Sequence, residues 1–392
     1  MKTRIHYILT SLAMYLLFAA CQDVEEPTNT IPTVKTDAVT KVGTRNAFVS
    51  GSVSTKSICR FLLSTQQDLS EGTVIDARCI DEEKGLYTGE LSKLTPNTIY
   101  YVALCATDRW SEVRGNVQSF KTASCLTIAD VTLADWESGE QKPFQSDLTS
   151  WLYTTTNGNL EYDATYSIKN RNGWYILTAE EIVFGNETRR IYAYHPAIEG
   201  TNDITKIHLH ANQYDFVYGS SEELSESNPA AHIALHHVMA KVTFEIKKSS
   251  DSNLDFTVSH ANLRNAWSTH VNAIPFDCYF NLLTGELSEG EVGYGHDGLF
   301  INELSLNLSA TEAKSVDFYV IPTSFADNDA ILALYSKENW SNSIQSDLGG
   351  AEWKAGKHYT YQVTVTPIGL QIGDVFVEEW QNNEEDSIFI NK

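Results

Sequence analysis

The side chains best suited to chemistry in this sequence are its eleven histidines, two of which are spaced for a metal. His208 and His210 stand two apart in a run that reads as a strand, so both rings point to the same side. His232, His236 and His237 could add donors from a neighbouring strand. No carboxylate or cysteine pattern accompanies them, and the reading is therefore no metal site, with histidines that sit inside or on the surface and make hydrogen bonds. Asp327-Asn-Asp329 clusters oxygen donors, but the further carboxylates and the glycine of a calcium loop are missing, which leaves a solvated turn. Gly290 to Gly298 is rich in glycine without the lysine and helix start of a phosphate cradle, so it reads as a hairpin or flexible loop. Nucleophile elbow, H-E-x-x-H, Walker A and G-x-G-x-x-G stretches do not occur. With 51 acidic residues, spacing along the chain selects no carboxylate pair for glycoside hydrolysis. The expectation is a protein with no catalytic residue, no cofactor and no enzyme activity.

Composition narrows the classes further. Against 51 acidic residues stand 28 basic ones, a net charge of −23, which does not supply the clustered cations that nucleic-acid phosphates require. Nineteen Tyr and sixteen Phe provide core material that a disordered chain lacks, and only nine Pro rules out proline-rich or collagen-like material. A length of 392 residues points to two or three domains. Eight tryptophans could stack on sugar rings, but Trp151, Trp174, Trp353 and Trp380 occupy strand positions that favour burial, leaving Trp110 as the expected exposed one.

The chain opens with Lys2, Arg4 and His6, then an apolar run from Tyr7 to Ala20 interrupted by Thr10 and Ser11, the pattern of a secretory signal. It is shorter than the roughly 20 apolar residues of a bilayer-spanning helix. The small pair Ala19-Ala20 directly before Cys21 resembles a bacterial lipoprotein signal, with Leu17 and Phe18 departing from the usual leucine position. That resemblance implies removal of residues 1–20 and lipidation of Cys21. An acidic tether, 21–31, follows and resembles the signal that sends some lipoproteins to the outer face of the outer membrane. Simple secretion with an unmodified cysteine is the alternative. Five other cysteines remain: Cys59, Cys79, Cys105, Cys125 and Cys278. An odd number cannot all pair within the chain. Cys278 reads as a small buried hydrophobe, and pairing among the other four stays open.

The elements that would position these groups are strands. From Pro32 to Ser124, short alternating runs are separated by turn signals every ten or so residues, as in an antiparallel sandwich. Leu94, Pro96, Thr98, Tyr100 and Val102 share one parity and resemble the tyrosine corner of a fibronectin type III module, which implies a structural role for Tyr100 and a spacer domain over 32–124. Beyond Cys125 the pattern stays β. In His232–Ile246 the apolar parity is odd through Ile233 and Leu235 and even through Val242, Phe244 and Ile246, which predicts a bulge or bend near His236-His237 within one strand. Tyr359, Tyr361, Val363 and Val365 share a face of a long strand, and Ile372, Val375, Val377 and Trp380 are expected to close the last domain.

Several segments together, Tyr192-Ala-Tyr-His-Pro196, Asp215-Phe-Val-Tyr218, Leu235-His-His-Val-Met-Ala-Lys-Val242, Trp353-Lys-Ala-Gly-Lys-His-Tyr-Thr-Tyr361 and the closing Trp380, resemble the fimbrillin family of surface and pilus lipoproteins of Gram-negative anaerobes. The resemblance implies an all-β chain: the fibronectin-like sandwich followed by two transthyretin-like β-sandwiches, 125–248 and 249–392. It implies packing roles for His237, Trp353 and Trp380, and a lipid-anchored protein at the cell surface, held to the outer membrane. Its partners would be other pilus subunits or host and surface ligands. Assembly would proceed by strand complementation, with Ile372–Val377 or Ser387–Ile390 as the donated segment, the latter carrying Ile388, Phe389 and Ile390. The added first module and the lack of an arginine processing site near 125–145 favour an accessory, anchor or tip role over a repeating stalk role. A surface glycan-binding lipoprotein is the alternative.

Overall fold

Alternation in the sequence becomes alternation in space: in Ala47–Val53 every second residue is buried, and in Lys357–Thr366 Tyr359, Tyr361, Val363 and Val365 are buried while their neighbours are not. The computed structural model describes residues 31–107, 112–134, 140–211, 214–252, 256–266, 272–290, 298–336 and 339–380. Among them there is no helix, and the chain is all-β. It divides into two compact units after Ala123.

The first unit holds two antiparallel sheets. One runs Val34–Thr36, Ala47–Val53, Leu86–Leu91, Arg78–Asp81; the other runs Thr73–Asp76, Ile58–Ser64, Ile99–Thr107, Glu112–Arg114, with Gln118–Lys121 also pairing along Ile99–Thr107. The chain changes sheets at Ala77, between Asp76 and Arg78. Val49, Phe61, Leu91, Val102 and Leu104 fill the space between the sheets. The Tyr100 hydroxyl accepts the Thr95 N–H at 3.0 Å, and its ring stacks on Phe120 at 5.8 Å. A tyrosine suits the position because its hydroxyl reaches back across the turn while its half-buried ring packs on the core.

In the second unit one eight-stranded sheet dominates, ordered Gln141–Pro143, Thr127–Ala134, Ala230–His237, Val217–Ser221, Thr188–His195, Leu148–Thr156, Asn159–Asn170, Trp174–Leu177. It curls until Trp174–Leu177 lies near Thr127–Ala134, enclosing a core that includes Ile128, Leu152, Ile168, Ile191, Leu235 and Val217. Its outer face is covered as well: Trp151, Tyr192 and Tyr194 belong to a second, larger core. Burial on both faces explains why Ile191-Tyr-Ala-Tyr194 is continuously apolar. Gly219 is required where this sheet is tightest, since a Cβ there would lie 2.0 Å from the Ala234 carbonyl oxygen.

The larger core is built between two further sheets. The first runs Lys314–Val320, Ala240–Lys248, Lys357–Thr366, Gly369–Glu379; the second runs Leu299–Ile301, Thr257–Asn265, Ala330–Ser336, Asn339–Asp347. Phe244, Phe318 and Tyr361 face Leu263, Leu332 and Leu334 across this core. A three-stranded sheet, Ile207–His210, Asp277–Asn281, Glu286–Glu289, supplies Leu209, Cys278 and Phe280 to the same core.

Four expectations differ from this arrangement. The run His232–Ile246 is two strands, not one: Ala230–His237 ends in the eight-stranded sheet, Val238-Met239 bend, and Ala240–Lys248 enters the next sheet. The parity changes because each half faces a different core. Ala240–Lys248, which a boundary at 248/249 assigns to the earlier sandwich, pairs on both sides with strands from the later one. Val375 and Val377 do not close the core: the register shift that leaves Gly373-Asp374 unpaired sets them opposite Tyr361 and Tyr359, but on this outermost strand both stay exposed. Trp174, on the terminal strand of its sheet, is half-buried.

Candidate functional site

Strand Gly369–Glu379 is the outermost strand of its sheet, hydrogen-bonded along one side to Lys357–Thr366. Asn339–Asp347 of the facing sheet approaches it without ladder pairing. Along it, Val375, Phe376 and Val377 are 42%, 58% and 56% exposed. Three consecutive exposed apolar residues on an outermost strand are what natural sheets avoid, usually with charge or proline. The expected donor segment Ile372–Val377 therefore lies at a sheet edge, with Ile372 packed on the core and the next apolar residues left exposed.

The end of that strand is anchored firmly. Trp380 is buried, its indole lying parallel to the His237 ring at 4.0 Å between centroids and to the Tyr319 ring at 5.4 Å. The Trp380 backbone N–H donates to the Gly356 carbonyl at 2.8 Å. His237 Nδ1 and Asp215 Oδ1 are 2.9 Å apart and both side chains are buried, so Asp215 orients the ring on which Trp380 rests. Trp353 is buried nearby, donating its indole N–H to the Tyr361 hydroxyl at 3.0 Å and meeting Phe325 edge-on at 4.9 Å. The Tyr359 hydroxyl accepts the Lys354 N–H at 2.9 Å, closing the turn that leads into Lys357–Thr366.

A second feature is a cleft of about 480 Å³ on the outer side of the eight-stranded sheet. Tyr162, 53% exposed, forms its aromatic wall with Trp151, the ring centroids 5.2 Å apart, and Tyr153 meets Tyr162 edge-on at 5.8 Å. Thr149, Thr165, Thr201 and Asn202 contribute neutral hydroxyl and amide groups, and among the described residues no charged one lines it. The Trp151 indole N–H is buried with no hydrogen-bond acceptor among the described residues.

The histidines separate. His208 and His210 lie in the three-stranded sheet with ring centroids 4.2 Å apart, and pairing with Asp277–Asn281 brings Asp277 beside them. His208 Nε2 and Asp277 Oδ2 are 3.1 Å apart. His232, His236 and His237 are in the eight-stranded sheet instead, and His232 pairs with Asp130 at 2.8 Å. The carboxylate missing from the sequence pattern is thus supplied by a residue 69 positions away. Only an outward parity shared by Asp277 and Tyr279 around buried Cys278 hints at it.

Of the other candidates, Asp327-Asn-Asp329 is a turn with Asp327 and Asn328 exposed and Asp329 turned inward. Asp329 is buried and accepts the Ala326 N–H at 3.0 Å, while Asp327 accepts the Gly350 N–H at 2.6 Å. Cys59, Cys79, Cys105 and Cys278 are free thiols, Cys125 is buried, and burial pushes the Cys278 thiol up to about 12. Cys21, Trp110, the loop 291–297 and the tail carrying Ile388, Phe389 and Ile390 lie outside the described residues.

A family profile described as fimbrillin-like matches residues 131–380. Among solved structures, a candidate cell adhesion protein from Bacteroides uniformis is 16% identical, with 66% of this chain and 98% of that chain covered at a TM-score of 0.47. Another from Bacteroides ovatus is 12% identical, covering 67% and 100% at a TM-score of 0.48. A candidate adhesin from Bacteroides thetaiotaomicron is 9% identical, covering 66% and 98% at 0.35. No curated protein sequence matches the chain.

Proposed function

The chain belongs to the fimbrillin-like family of structural, non-enzymatic proteins, and from that premise we propose that it is a lipid-anchored surface protein, an accessory or tip component of pili or an adhesin, assembling by strand complementation. The observation that carries the assembly step is the outermost strand Gly369–Glu379 with its exposed Val375-Phe376-Val377. A second extended segment laid along such an edge gains backbone hydrogen bonds, and its alternate apolar side chains fix the register. The segment Ser387–Ile390, with Ile388, Phe389 and Ile390, has the alternation to serve as donor. Residues 21–31 would be a tether from a lipid on Cys21, and the first unit a fibronectin-like spacer, a reading supported by its two sheets and the Tyr100 hydrogen bond.

Two variants of the full chain test assembly. Deleting residues 384–392 removes the candidate donor, and Phe376→Lys places a charge at the acceptor edge without disturbing the core. Loss of multimers in both supports complementation; unchanged multimers in both refute it. Labelled palmitate incorporation that disappears in Cys21→Ala tests the anchor.

The aromatic cleft favours a second reading, capture of surface glycans. Sugar rings stack on exposed aromatic faces, and neutral hydroxyl and amide groups suit their hydroxyls. Retardation in a polysaccharide affinity gel that is lost in Tyr162→Ala would support it, and no retardation on any gel would dismiss it.

A further inference from the structure

We propose that His208, His210 and Asp277 form a binding site for one divalent first-row transition metal, zinc being the ion whose chemistry best suits the donors. Strand alternation puts the two imidazoles on one face, and the antiparallel register sets Asp277 directly opposite His210. One donor atom from each of the three side chains falls within 4.8 Å of the others. Tetrahedral zinc with bonds of about 2.0–2.2 Å needs donors about 3.3 Å apart. The His208–Asp277 separation of 3.1 Å already meets that, and rotamer adjustment of about 1.5 Å brings in the third donor.

The surroundings hold these side chains in place. On the opposite face of the same two strands Ile207, Leu209, Cys278 and Phe280 are buried, so the backbone carrying the donors is fixed by the core. His208 stacks on Tyr279 at 5.0 Å, and His210 meets Phe276 edge-on at 5.8 Å. Gly290 is the floor: a Cβ built on it would lie 2.0 Å from Asp277 Oδ1, so any side chain there would displace the carboxylate.

Donor chemistry selects the metal. Two imidazoles and one carboxylate suit zinc and its neighbours, whereas calcium and magnesium require oxygen ligands. Three protein ligands leave a coordination position for water or for a donor from a binding partner. A plain ion pair accounts for His208 and Asp277 but not for a second imidazole within reach of both.

The test uses the tag-free full chain, stripped with chelator and titrated with zinc chloride by calorimetry, with cobalt(II) absorption reporting coordination. The expected result is one zinc per chain, a cobalt spectrum of low-coordinate imidazole ligation, and a raised unfolding temperature. Affinity should fall at least tenfold in His208→Ala, His210→Ala and Gly290→Ala, and stay unchanged in His232→Ala. Near-ultraviolet circular dichroism checks that each variant is folded. Absence of zinc binding by the folded native chain, or one-to-one binding that survives in the His208→Ala/His210→Ala double variant, would overturn the assignment.

Discussion

Replacing Trp380 by alanine should be among the most damaging single changes in the second unit. The indole is buried between His237 at 4.0 Å and Tyr319 at 5.4 Å. A buried tryptophan removes about 200 Å² from water, worth up to about 5 kcal/mol at roughly 25 cal/mol/Å². Partial collapse of the site and an unfolded chain that already hides some of that surface bring the expected loss to about 3–5 kcal/mol. For a unit of this size that is a fall of roughly 6–20 °C in melting temperature. Because the indole N–H has no hydrogen-bond acceptor among the described residues, Trp380→Phe keeps the stacking and forfeits only area, and should lose about 1–2 kcal/mol. A double-mutant cycle with Tyr319→Leu isolates the ring pair, whose coupling should be about 0.5–1.5 kcal/mol. Urea unfolding followed by tryptophan fluorescence and circular dichroism measures all three. A loss below about 1 kcal/mol in Trp380→Ala, or zero coupling to Tyr319, would show that the indole is not clamped between the two rings and would refute the packing argument.

Two other outcomes follow from buried polar groups. Asp215→Ala removes the carboxylate that holds His237 and leaves the imidazole buried beside Trp380; it should cost about 1–3 kcal/mol, read by the same urea titration, and a neutral result would mean that the pair contributes nothing. The Cys278 thiol, raised to about 12 in the folded chain from an ordinary value of 9.0, retains a proton between those values that the unfolded chain releases. Stability from this group is therefore intact below about pH 9 and declines as pH rises toward 12, and Cys278→Ala should flatten that decline in unfolding curves taken across the range. In native protein at pH 8 a disulfide reagent should label exposed Cys79 and leave Cys278 untouched until denaturant is added.

What the sequence disclosed was mostly local. Alternation located strands such as Ala47–Val53 and Lys357–Thr366, because burying one face of a strand imposes a period of two wherever the chain runs. Tyr100 was legible for the same reason, its partner Thr95 lying only five residues away. Pairings between distant segments were not. Asp277 joins His208 and His210 through a register that no local pattern encodes, and Tyr162 becomes the wall of a cleft because its strand folds against Leu148–Thr156. The exposure of Val375 and Val377 was not legible, because the unpaired Gly373-Asp374 keep both on the side of Tyr361 and Tyr359 and it is their place on the outermost strand that leaves them open. The parity change near His237 was visible, but whether it marked a kink within one sheet or passage between two depended on Lys314–Val320 and Lys357–Thr366, which flank the later half.

The position of Lys357–Thr366 within its sheet bears on the order of events during synthesis. It lies alongside Ala240–Lys248 in parallel, and the Thr243–His358 contact spans 115 positions of chain. While the ribosome is still building the intervening hundred residues, Ala240–Lys248 has no ladder partner until Lys314–Val320 is made and one bare flank thereafter, and the larger core lacks Tyr359, Tyr361, Val363 and Val365. Long-range closure of this kind is slow, because chain entropy is lost before the contacts that compensate it form. The second unit must therefore spend its nascent life incomplete, in the condition in which a foreign strand is most easily mistaken for its own.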